Sequence, residues 1–228
     1  MPGNLEKRIS RGAHTISFLK KNFTKRNKYK DIIYISANPY VSKYLSNSFY
    51  KLIPAWKEGW NQKEKTVLPE YMLNITKQIV ERYPNKKFII HFMQPHYPYI
   101  RINLGKKDQE SNFINWYSAR IYKSMALDQH LVGYMNNLRI ALKYVNKLIS
   151  LLKGKIIITS DHGEAFGEWV HSFIPIKFYG HRIGVRIPAT IEIPWLVVNK
   201  SKMSLESSEN EKEKIISKIN ELRKVKKI

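Results

Sequence analysis

Lys155-Ile156-Ile157-Ile158-Thr159-Ser160-Asp161-His162-Gly163-Glu164 decides how this chain is read. Its first half is a run of β-branched apolar residues, the pattern of a strand buried on both faces of a sheet. Its second half sets a carboxylate, an imidazole and a glycine at the end of that strand. In an open α/β sheet, ligands gather beyond the carboxyl ends of the strands, so chemistry is expected at this point. Asp161 and His162 offer oxygen and nitrogen donors that suit Zn²⁺ or Mn²⁺, on one ion or shared between two neighbours. Gly163 is read as letting the backbone turn sharply away from the site. From these residues alone a plainer alternative stays open, with Asp161 as a helix N-cap and His162 incidental.

Working outward, two further runs have the same buried-strand composition: Asp31–Ala37 (DIIYISA) and Lys87–Met93 (KFIIHFM). Helical patterns lie between the three. Tyr71–Arg82 follows Pro69 and spaces Met72, Ile75 and Ile79 by three and four. His130–Leu152 carries Leu131, Tyr134, Leu138, Leu142, Val145, Leu148 and Leu152 on one stripe and stops before Gly154, as a helix C-cap would. Strand, helix, strand, helix, strand predicts an α/β fold with a mixed, largely parallel sheet flanked by helices. Ile193–Val198 is a fourth strand candidate. Pro39–Pro69 reads as loops and short helices, and Asn103–Asn115 as an exposed loop. Residues 1–199 are read as one α/β domain. Residues 200–228 are read as a polar linker and a short basic helix over Ile215–Val225.

Composition narrows the chemistry. A chain of 228 residues with 43% hydrophobic content can bury a full core. With no cysteine there is no disulfide framework, thiolate metal site or cysteine nucleophile. No apolar run reaches the roughly 18 residues of a membrane span, and MPGNLEKRISRGAH has no secretory apolar core. A cytoplasmic location is the default expectation. Net charge is +22, from 40 Lys+Arg against 18 Asp+Glu. Such a surface attracts polyanions, although a lysine-rich composition inherited from an AT-rich genome explains it equally well. Because the basic residues are spread along the chain and form no recognised binding module, nucleic acid is not expected as the main partner.

A second rigid element follows the strand Lys87–Met93, in Gln94-Pro95-His96-Tyr97-Pro98-Tyr99. Two prolines hold His96 at a strand end, either for chemistry or as a structural histidine in a proline turn. His91 sits inside its strand and is read as a core histidine. His14 and His130 have no motif behind them, and His171 is read as surface or loop.

IIITSDHGEAFGE (156–168), followed by Tyr179-Gly180-His181 and by IEIPWLVV (191–198), resembles the C-terminal signature of the alkaline phosphatase/sulfatase superfamily. The chain looks most like its small, soluble, archaeal sulfatase-like members. The resemblance implies that Asp161 and His162 are metal ligands and that His181 sits at the metal or at a substrate oxygen. Glu164 fits the motif but is not usually a ligand there. His96 matches a histidine that hydrogen-bonds the phosphate or sulfate group, stabilising its charge or protonating the leaving group.

Ser10–Leu19 (SRGAHTISFL) resembles the superfamily's nucleophile turn, which makes Thr15 the catalytic hydroxyl at the start of a helix. The alternative is an N-cap threonine. Without cysteine, the formylglycine chemistry of true sulfatases is closed, which tilts the expectation toward phosphomonoesters or phosphodiesters. The implied cofactor is Zn²⁺ or Mn²⁺, with Ca²⁺ also admitted, and the implied substrate is a small anionic ester.

One departure stands out. Superfamily members open with a strand ending in an acidic metal ligand, whereas here Glu6 is the lone acid before Thr15 and no strand pattern precedes it. The first βα unit is therefore expected to be missing. An inactive relative that binds an anionic partner is then the alternative function. Transfer of a phosphorylated head group, as in membrane relatives, is disfavoured by the lack of a span. Oligomeric state is not legible.

Overall fold

The computed structural model describes residues 1–23, 29–101, 127–171 and 173–201. In chain order these form β1 (Gly3–Ile9), α1 (Thr15–Asn22), β2 (Tyr29–Ser36), α2 (Pro39–Leu45), β3 (Phe49–Ile53), α3 (Ala55–Gly59), β4 (Trp60–Asn61) and β5 (Thr66–Val67). There follow α4 (Pro69–Arg82), β6 (Lys87–His91), α5 (Leu127–Leu151), β7 (Ile157–Thr159), β8 (Ala165–His171), β9 (Ile174–Gly180), α6 (Pro188–Ile191) and β10 (Glu192–Val198). The expected loop Asn103–Asn115 and helix Ile215–Val225 lie outside the described residues, as does the tail beyond Ser201.

β2 is the middle of a parallel sheet in the order β3-β2-β6. Side chains alternate along a strand, and here the alternation feeds two separate cores. Ile33 and Ile35 pack with Met72 and Ile79 of α4 and with Val67, Ala55 and Met93. Tyr34, one residue out of phase, packs with Leu19 of α1 and with Val41 and Leu45 of α2. Ile33, Ile35, Met72, Leu19 and Val41 are all at 0% exposure. Burying each contributes about 1.5–3 kcal/mol, so these helices are held to the sheet mainly by their apolar faces. α4 opens on Pro69, whose fixed φ suits a first helical turn. α5 ends at Leu151, and Gly154 takes φ 75° in the turn leading to β7.

The sheet prediction needs correcting. Instead of one largely parallel sheet, the described residues form two three-stranded sheets and the two-stranded pairs β4-β5 and β8-β9, and the sheet β1-β10-β7 is antiparallel throughout. Periodicity reports burial, not strand direction, so the sequence could not separate them. β7 is also only three residues long and part exposed, not buried on both faces.

A second correction concerns the start of the chain, because a strand does precede Thr15. β1 is exposed at almost every position, so it has no apolar alternation to betray it; its ladder runs from Gly3 opposite Val198 to Ile9 opposite Glu192. Glu6 stays at the surface, accepting from Arg8 and from Asn4, and brings no carboxylate to the site. Pro39–Pro69, read as loops and short helices, also holds β3, whose parallel pairing with β2 supplies one flank of the sheet.

Candidate functional site

Four segments converge at the strand ends. Asp161 and His162 follow β7, His96 follows β6, Thr15 opens α1, and Glu164 and His181 stand at the two ends of the β8–β9 hairpin. That hairpin explains a contact the sequence pattern does not show. Ala165 pairs with Gly180, so the residues just outside them meet, and His181 Nδ1 lies 2.8 Å from Glu164 Oε2.

Thr15 Oγ1 donates to Asp161 Oδ2 at 2.7 Å and stands 3.3 Å from His162 Nε2. Both N-cap alternatives fall away. The cap of α1 is His14, with Ser17 reaching back to it, which leaves the Thr15 hydroxyl for Asp161. Asp161 precedes no helix; the chain continues into β8. Ser10 Oγ donates to the Asp161 carbonyl, and Arg186 holds the carbonyls of Ser10 and Arg11, tying the turn before α1 to the site.

Gly163 matters for a different reason than a sharp turn. A Cβ there would stand 2.1 Å from the Ala189 carbonyl oxygen, so only glycine lets this backbone lie against α6, where its N–H bonds Thr190 O.

The imidazoles form a contiguous cluster. His162 and His181 ring centroids are 4.1 Å apart, and His181 and His96 are 4.9 Å apart. His162 Nδ1 donates to Gly163 O at 2.8 Å and His96 Nδ1 to Tyr97 O at 2.6 Å. A carbonyl only accepts, so each ring carries a proton on Nδ1 and turns Nε2 toward the cluster, the arrangement metal-ligating histidines use. Donor atoms of His96, Glu164 and His181 lie within 4.8 Å of one another, a group that can hold a metal ion. Two imidazole nitrogens and a carboxylate are a donor set of the kind that holds a divalent metal ion.

Electrostatics agree with that use. Burial pushes the Asp161 carboxyl up, but His162, His91 and the Thr15 hydrogen bond outweigh it and bring it down to about 2. Glu164 behaves alike: burial opposes, while His181, through charge and hydrogen bond, and then His96 bring it to about 2. Burial, helped by His181, lowers His96 to about 4, which keeps it neutral at pH 7. His181 is raised: burial lowers it, but Glu164 more than compensates.

A pH dependence follows. In metal-free protein Glu164, depressed from 4.5, contributes stability above 4.5 that is lost as pH falls toward about 2. His181, raised from 6.5, contributes stability below 6.5 that is lost as pH rises through its folded pKa. The pair therefore supports the metal-free fold most between 4.5 and 6.5. A metal must displace the His181 proton, so its affinity should climb from pH 6 to 8, with proton release on binding. Calorimetry in buffers of different ionisation enthalpy reads that release; pH-independent affinity without it would count against His181 as a ligand.

Of the residues singled out in the sequence, Thr15, Asp161, His162, His96 and His181 come together. His171 is exposed at the end of β8, as read. His91 ends β6 with its Nδ1 3.0 Å from the Tyr34 hydroxyl and its pKa lowered by burial, as a satisfied core histidine would. Glu164 and His14 were underestimated. Glu164 stands in a familiar motif, but its partner His181 is 17 residues away across a hairpin that no apolar pattern marks. His130 is structural, bonded through Nδ1 to the Tyr99 hydroxyl at 3.2 Å.

No family model matches this chain, and no curated protein matches it by sequence. Its fold is similar to the C-terminal periplasmic domain of the phosphoethanolamine transferase EptC from Campylobacter jejuni. The TM-score is 0.53 at 17% identity, covering 85% of this chain and 67% of that one. At that identity the likeness is one of fold. No helix among the described residues is long and apolar enough to cross a membrane.

Proposed function

We propose that this chain is a metal-dependent enzyme that cleaves phosphate esters with Thr15 as nucleophile. The observation behind the reading is the Thr15 hydroxyl, 2.7 Å from Asp161 Oδ2 and 3.3 Å from His162 Nε2 across about 146 residues of sequence. A threonine used only to start a helix has no reason to be aimed there.

Asp161, His162, Glu164 and His181 would hold the ion, with His96 as a fifth donor. A bound divalent ion supplies the charge that lowers the Thr15 hydroxyl's pKa. The chain's own residues do the rest. Asp161 orients the hydroxyl, and Thr15 Oγ1 forms the bond to phosphorus as the bond to the leaving oxygen breaks, the hydroxyl proton passing by way of Asp161 Oδ2 to solvent or the leaving oxygen. Water then cleaves the threonyl ester, so one water is consumed per turnover. The neutral state of His96, with Nδ1–H on Tyr97 O, favours a ligand or proton acceptor over the imidazolium that the resemblance implies. Glu164 provides a second carboxylate in place of the acid expected on a strand before Thr15. The net charge of +22 helps draw a small anionic ester toward the site.

Incubating the purified chain with bis-p-nitrophenyl phosphate and p-nitrophenyl phosphate tests this directly. Turnover is expected to appear with Zn²⁺ or Mn²⁺ and to disappear on chelation. No hydrolysis of either ester with any divalent metal would overturn the proposal.

A further inference from the structure

The loop that carries His96 has an unusual backbone problem. Pro95 and Pro98 have no N–H, so the segment from Gln94 to Ile100 cannot build its own ladder, and its buried carbonyls need donors from elsewhere. One side chain supplies most of them. Asn137, at 0% exposure in the middle of α5, donates from Nδ2 to the carbonyls of His96 at 2.8 Å, Pro98 at 2.9 Å and, more weakly, Pro95 at 3.4 Å. Its Oδ1 accepts the Ile100 N–H at 2.8 Å. An amide buried in a helix is costly unless its capacity is used, and here it is used in full on a single loop.

The same face of α5 supports the loop at two more points. Four residues before Asn137, a Cβ on Gly133 would meet the Tyr99 ring at 2.2 Å, so the helix backbone lies directly against it. Seven residues before, His130 Nδ1 meets the Tyr99 hydroxyl at 3.2 Å. Spacings of three, four and seven put all three residues on one helical face. At the far end of the loop, Gln94 Nε2 donates to Val67 O at 3.1 Å and Thr66 Oγ1 at 3.2 Å. Asn137 is the side chain that reaches the carbonyl of His96 itself, at 2.8 Å.

We infer that Asn137 is a positioning residue: its amide fixes the His96 backbone and thereby sets where the His96 ring stands against His181 and Glu164. The inference rests on the reading of His96 as a site residue, and it needs no contact between Asn137 and substrate. His96 Nδ1 bonds the carbonyl of Tyr97, which lies between two carbonyls that Asn137 holds. Releasing the loop therefore frees both the position and the tautomer of the ring.

The test compares Asn137→Ala and Asn137→Ser with Val41→Ala, a cavity variant in the core beneath α2. Two readouts are taken. Ring ¹⁵N spectra of metal-free protein report the His96 tautomer, and calorimetry reports Zn²⁺ affinity. Both Asn137 variants are expected to lose the single Nδ1–H state of His96 and to bind Zn²⁺ about 10- to 100-fold more weakly. Val41→Ala should leave both unchanged at a comparable loss of melting temperature. His96 signals and affinity within about twofold of wild type in either folded Asn137 variant would overturn the inference. Loss of the fold in both would overturn it too, because Asn137 would then support the whole chain and not His96 in particular. If wild-type protein binds no Zn²⁺, the metal reading fails, while the ring spectra still decide the role of Asn137.

Discussion

Asp161→Ala is expected to erase the rise in melting temperature that Zn²⁺ or Mn²⁺ gives the wild-type protein. Binding to the native state alone stabilises it by about 2.7 kcal/mol at a free metal concentration 100 times Kd. For a chain of this size, about 2–4 °C per kcal/mol makes that a shift of roughly 5–10 °C. Asp161 is the acid closest to the proposed nucleophile, and its carboxyl, at about 2, is fully ionised at neutral pH. Alanine removes that charge and leaves Glu164 as the carboxylate beside His181, His96 and His162. Asp161→Asn sharpens the comparison, because it keeps the shape and an acceptor for the Thr15 hydroxyl but loses the charge. Both variants should show flat melting curves across a metal titration. A wild-type-sized shift in either would mean that the ion is held by His96, Glu164 and His181 without Asp161.

The sequence was most legible where burial is two-sided. DIIYISA and KFIIHFM became β2 and β6 because Ile33 and Ile35 serve one core while Tyr34 and Ile89 serve the other, so the middle of each run is continuously apolar. Tyr71–Arg82 was legible because α4 buries one stripe only. β1 was not, since a strand held by a ladder to β10 and otherwise solvated needs no apolar residues. The β8–β9 hairpin was missed for a related reason: AFGEWVH and IPIKFYG mix exposed Trp169 and Ile176 with buried Phe178, which blurs the period of two.

Site residues were legible to the extent that they follow strand ends. Asp161, His162 and His96 could be singled out because the strands before them are apolar runs and the residues after them are not. Glu164 is a different case. Its role depends on the register that sets Ala165 opposite Gly180, and register is a property of two strands together. Asn137 is hidden more deeply. In the sequence it is a polar residue among Leu138, Leu142 and Val145, and only the proline-flanked loop against α5 shows what its amide satisfies.

Thr15→Ala should separate chemistry from structure more cleanly than any other single change. The helix N-cap is His14, and the capping box it forms with Ser17 does not involve the Thr15 side chain. Loss of the Thr15 methyl and hydroxyl at 8% exposure removes one hydrogen bond to a charged partner, worth about 1.5–3 kcal/mol. The fold keeps both cores around β2, neither of which includes Thr15, and metal binding should survive through Asp161, His162, Glu164 and His181. Turnover should not. Removing a nucleophile leaves only binding and electrostatic stabilisation, and the loss expected for phosphodiester hydrolysis is about 10³-fold or more in kcat. Thr15→Ser keeps the oxygen on a side chain with greater rotational freedom and should retain activity within about tenfold. A phosphorylated intermediate, trapped by acid quench and found by mass spectrometry on the peptide containing Thr15, should be present in wild type and Thr15→Ser and absent from Thr15→Ala. If Thr15→Ala instead turns over the diester at a wild-type rate with the same metal requirement, water is the attacking group. The 2.7 Å contact to Asp161 would then serve only to hold α1 against the strand ends.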